Sequence, residues 1–111
     1  MLTKDQILKS EDIVTKVVKV PEWGGDVTIA SMNGVIREQF EAVLTNQSSS
    51  NSTSIRATAA ALSIVDVKGS LIFSKDEIED LGKKSCKPLN RIYTAVMKLN
   101  SLENIEKEIK N

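Results

Sequence analysis

IVTKVVKVPEWGGDVTIASM, residues Ile13–Met32, is the stretch whose reading decides the fold. Its first run, Ile13 to Val20, is dense in β-branched residues, whose stiff side chains suit a pleated surface. Pro21 cannot donate to a strand ladder, and Gly24 and Gly25 tolerate a positive φ, so the run breaks there. Val27 to Met32 then resumes as a strand, with Val27 and Ile29 on one face and Thr28 and Ala30 on the other. Two such runs around a Gly-rich connection predict a β-hairpin. The single tryptophan, Trp23, sits on that connection. It reads either as a plug over the core, the favoured reading, or as an anchor for a partner, because Trp offers large contact area.

Upstream, Thr3 and Gln6 have capping-box spacing and predict a short helix with Ile7 and Leu8 on one face. A helix of under two or three turns is marginal alone and must dock. Downstream, Asn33 or Gly34 starts a helix with Ile36, Phe40, Val43 and Leu44 at helical spacing. Residues 46–54 contain no apolar side chain. Burial cannot offset their ordering entropy, so a flexible loop is expected. Ile55 to Leu62 fits two patterns. Four alanines favour a helix, while alternation of Ile55, Ala57, Ala59 and Ala61 would suit a strand; the helix is preferred. Residues 63–66 and 71–73, flanking Gly69, suggest a second short hairpin. Ser74 and Glu77 form another capping box. Asp76, Glu77, Glu79 and Asp80 crowd that helix start, and Lys83, Lys84 and Lys87 stand near its end, complementing the macrodipole. Pro88 can open the next helix, with Leu89, Ile92, Tyr93, Val96 and Leu99 as its stripe. Ser101 is expected to cap a last amphipathic helix bearing Leu102, Ile105 and Ile109. The expected architecture is one α+β domain over residues 1–111, an N-terminal hairpin and a second short hairpin packed with four to five helices.

Composition narrows the function. Fifteen basic residues balance fifteen acidic ones. A nucleic-acid binder usually carries a basic excess that displaces counterions, so none is expected as a partner. Histidine is absent, which removes Ser-His-Asp and Cys-His catalysis and His-bearing zinc sites. Cys86 is the single cysteine, so no intrachain disulfide can form and a reducing compartment is the simpler assumption. No apolar run approaches the roughly 20 residues that span a bilayer. Ile, Leu, Val and Phe total 32, enough for a modest core. These features point to a small, soluble, intracellular protein that is not an enzyme, with no cofactor.

The remaining motifs have simpler readings than chemistry. The acidic cluster at 76–80 lacks the glycine and terminal glutamate of an EF-hand loop and is explained as a helix start. Gly24-Gly25 belongs to no phosphate-binding motif. Cys86 beside Lys84 and Lys87 has no second cysteine or histidine to work with, and a packed thiol is preferred. Lys83, Lys84, Lys87 and Arg91 have no interleaved aromatic residues for base stacking, and read as a solvated face.

Three blocks, taken together, carry a resemblance. They are Val20–Val27 leading to Asn33-Gly34 and Arg37–Glu41; Ser63–Asp66 through Gly69 to Leu71–Phe73; and Ile78–Ser85 through Leu89–Ile92 to Leu99-Asn100. In order and spacing, over about residues 10–102, they resemble the tail assembly chaperones of long-tailed bacteriophages and prophages. The resemblance implies a non-catalytic assembly factor. Such a protein coats the aggregation-prone tape measure protein in the host bacterial cytoplasm, recruits tail tube subunits, and leaves before the virion matures. Many are made in two forms by a ribosomal frameshift, and this chain would correspond to the shorter. The family has no catalytic residues to carry over. Contacts with the client or between copies are expected at Trp23, Leu102, Ile105 and Ile109, with weak contacts multiplied along a long client. The rival readings are a structural virion part, such as a head–tail connector or tail-completion protein, and a small cellular adaptor.

Overall fold

The computed structural model describes residues 1–45 and 54–103. The expected flexible loop falls outside them except for Ser54, as do Ile105 and Ile109 of the expected last helix.

The hairpin forms as expected. Strands β1 (Thr15–Val20) and β2 (Gly25–Ala30) pair antiparallel, from Thr15 opposite Ala30 to Val20 opposite Gly25. A 3-10 turn over Pro21–Trp23 joins them. Gly24 closes it in the left-handed region (φ +74°), where a side chain would be strained, and its N–H donates to the Pro21 carbonyl at 3.0 Å. Strand β3 (Ile64–Val65) adds to β2, so the sheet order is β1-β2-β3 and β1 is an edge strand. Val18, Val20 and Ile29 turn to the core, while Val17 and Lys19 face solvent.

The second hairpin is reduced. Residues 71–73 form no strand; Leu71 makes a lone bridge to Val65. The Asp66 carboxylate accepts the N–H groups of Lys68 (2.8 Å) and Ser70 (3.1 Å). This local turn takes up backbone donors that a ladder would otherwise need.

Five helices complete the α+β fold: α1 (Lys4–Lys9), α2 (Gly34–Thr45), α3 (Ile55–Ala61), α4 (Ile78–Gly82) and α5 (Cys86–Leu99). Asn33 caps α2 through its side chain, which accepts the Ile36 N–H at 2.8 Å. Residues 55–61 are helical, not extended. Ser54 caps them by accepting the Ala57 N–H, and Ala57 to Ala61 are all buried, so the alternation in sequence marks no solvent face. Small side chains let α3 pack closely against α2, α4 and α5 at once. The helix expected after Ser74 starts on its capping box as a 3-10 turn, Lys75–Glu77, and ends early at Gly82. A Cβ at Gly82 would lie 3.5 Å from the Cβ atoms of both Ala57 and Ser54, so the end of α4 lies against the start of α3. Ser85 then precedes α5, which opens at Cys86 with Pro88 in its first turn.

The core gathers Val20, Ile29, Phe40, Leu44, Ile64, Ile92 and Val96 between the sheet and the helices. Each such side chain contributes about 1.5–3 kcal/mol by leaving water. Beyond α5, Ser101 takes a left-handed conformation (φ +57°). The chain folds back, the Leu102 N–H reaches the Met97 carbonyl at 2.8 Å, and Leu102 is fully buried. Asn100 locks this corner. Its Oδ1 accepts the Met32 N–H at 2.7 Å and its Nδ2 donates to the Val96 carbonyl at 2.8 Å.

Candidate functional site

Pro21 and the left-handed Gly24 fix the hairpin turn, and the turn carries Trp23 outward. Trp23 is 38% exposed and stands outside the buried core cluster. It forms one wall of a cleft of about 370 Å³, with Phe73 and Leu81 as the other apolar walls and Glu77, Asp80 and Lys84 at the rim. The turn is pinned from below. Arg91 Nε on α5 donates to both carboxylate oxygens of Glu22, at 2.9 and 3.1 Å. Glu22 is held below the usual carboxylate range, first by its own backbone N–H, then by Arg91 and Lys87, with loss of water opposing them.

A second, larger cleft of about 640 Å³ also takes part of its lining from this α4 region. Val43, Leu62 and Ile78 give it apolar walls, and Lys75, Asp76 and Glu79 stand at its edge. Residues 75–84 thus contribute to the lining of both clefts.

Among the sequence-selected contact residues, only Trp23 presents surface in the described part of the chain. Leu102 has no exposed surface and belongs to the core, so it is unavailable as an outer contact in this conformation. Exposed apolar side chains lie elsewhere as well. Leu2, Ile7 and Leu8 on and before α1, and Ile13, Val14 and Val17 at β1, are all about half exposed or more. Helix α1 has its capping box but buries no residue. The docking that so short a helix requires is not supplied by the described residues.

Among the described residues, no group of three His, Cys, Asp or Glu could hold a metal ion. Cys86 is exposed rather than packed. Among the described residues, no helix is long and apolar enough to cross a membrane. The clefts missed by sequence reasoning bring together segments far apart in the chain: α2, α3 and the α4 region for the larger, the Trp23 turn, Phe73 and the α4 region for the smaller. The only local sign was the row of carboxylates at 76–80.

No family model matches the sequence, and no curated protein matches it. A solved structure does match in shape. The chain superposes on the bacteriophage HK97 tail assembly chaperone with a TM-score of 0.61, covering 86% of this chain and 90% of that one at 19% identity. The fold is therefore that of a phage tail assembly chaperone, over nearly the whole length of both.

Proposed function

We propose that this chain is a non-catalytic phage tail assembly chaperone. In this reading it binds the tape measure protein and helps to recruit tail tube subunits. It acts in the host bacterial cytoplasm and is absent from the mature virion. The observation that carries the reading is the near full-length match of fold to the HK97 chaperone. The surface supports it. A chaperone must expose apolar contacts while staying folded, and this chain keeps a buried core while presenting Trp23, two apolar-walled clefts and the α1 side chains. Repetition of such contacts along an extended client would multiply their strength.

Co-expression with the tape measure protein tests this. The client should become soluble and co-purify with the chain, and Trp23→Ala, checked for an unchanged melting curve, should reduce its recovery. Mass spectrometry of purified virions should find no copy of this chain. A client that stays insoluble, or a stoichiometric presence in virions, would reject the reading; the second result would favour a connector or tail-completion part.

A further inference from the structure

The Trp23 indole has no hydrogen bond among the described residues, so its turn and the cleft walls orient the ring. The turn has few ties of its own. The strand ladder ends at Val20 opposite Gly25, and between them the bond from the Gly24 N–H to the Pro21 carbonyl closes the loop. A further tie comes from 69 residues along the chain, where Arg91 Nε donates to both oxygens of Glu22, the residue before Trp23. A charge-assisted contact to both oxygens restrains the direction of a carboxylate as well as its distance. Lys87, one helical turn before Arg91, adds a second positive charge near Glu22. Both cations stand on α5, which is anchored by its buried residues Leu89, Ile92 and Val96. The Glu22 side chain is 24% exposed and that of Arg91 43%. At such exposure an ion pair adds little to global stability. Its effect is local, since it fastens a turn with one internal bond to a long packed helix.

We propose that Arg91 is a positioning residue for the Trp23 contact. Through Glu22 it holds the hairpin turn on α5 and keeps the indole standing with Phe73 and Leu81 as a wall of the cleft. The proposal rests on the reading above that Trp23 touches the client, and it adds the residue that presents the ring. By sequence Arg91 belongs to a solvated basic stretch with Lys83, Lys84 and Lys87; its pairing with Glu22 gives it a separate task. Arg91 acts through the turn and makes no client contact of its own.

The single tryptophan makes the test direct, because all indole fluorescence comes from Trp23. The full chain is compared at neutral pH with Arg91→Gln, Glu22→Gln and the two combined, with circular dichroism and melting to verify the fold. Each single variant should red-shift the Trp23 emission and raise its acrylamide quenching constant about twofold, as a turn freed from α5 opens locally. The combined variant should match the single ones, since both substitutions break one contact. In co-expression with the tape measure protein, Arg91→Gln should lower client recovery as Trp23→Ala does. Adding Arg91→Gln to Trp23→Ala should lower it no further. Quenching that stays unchanged in both single variants, or that adds in the combined one, overturns the positioning role and leaves the chaperone reading intact. Full recovery in Arg91→Gln does the same. So does a further loss when Arg91→Gln joins Trp23→Ala, because Arg91 would then touch the client itself. An original chain that captures no client removes both.

Discussion

Helices α1 and α3 are nearly the same length and both have side-chain N-caps, yet they have opposite fates. Thr3 and Gln6 satisfy each other's backbone donors around α1, but Leu2, Ile7 and Leu8 remain in solvent. Ser54 caps α3 with one bond, and five consecutive residues of it are buried. A cap satisfies donors and fixes where a helix begins; it does not supply the burial that keeps six or seven residues helical. For α3 that burial comes from three other helices, which alanine allows to approach closely. For α1 no packing surface is available within the described chain. The two ends of this contrast are a structural helix and an exposed one whose apolar residues are spare.

The sharpest way to break the contrast is to place a charge in each. Ala60→Asp should unfold the protein or cost about 3–5 kcal/mol, since it leaves an uncompensated charge among helices. Leu8→Asp, a larger chemical change, should leave the urea midpoint within about 0.5 kcal/mol of the original. Removing the caps should repeat the pattern on a smaller scale. Ser54→Ala should cost about 1 kcal/mol in the global unfolding transition. Thr3→Ala should leave that transition unmoved and show only in the exchange rates of the α1 amides.

The smallest effect concerns the turn that carries Trp23. Glu22 has a folded pKa below its ordinary 4.5, so the unfolded chain binds more protons between the two values. Its contribution is fully present above about 4.5 and fades as pH falls through the lower folded value. Glu22→Gln should therefore lower the urea midpoint slightly at neutral pH and flatten its decline in acid.

The sequence made the hairpin legible because Val17-Val18 and Val27 to Ile29 flank Pro21 and two glycines, and each of those signals is local. The capping boxes at Thr3 and Ser74 were legible for the same reason. What escaped depends on contacts across the chain. The helix after Ser74 ends at Gly82 against Ala57 and Ser54, a contact that no window around Gly82 reveals. The second hairpin is closed by the Asp66 side chain at its turn and carries only the Val65–Leu71 bridge beyond it. Leu102 looked like part of a free helical face, yet a left-handed serine turned it inward, an uncommon conformation for a side-chain-bearing residue. At the candidate site, Trp23 could be singled out from its place on a turn. The two clefts could not, because their walls come from segments far apart in the chain.

Strand β1 is the outermost of the sheet, and half of its main-chain groups point away from β2. Such a rim invites a strand from another molecule. A chain with no net charge has little long-range repulsion to keep copies apart. Lys16 and Lys19, both solvent-facing on that strand, place like charges where two rims would meet. Pairing of two copies along that margin would thus bring these ammonium groups together, a local barrier that the isoelectric balance of the whole does not reveal.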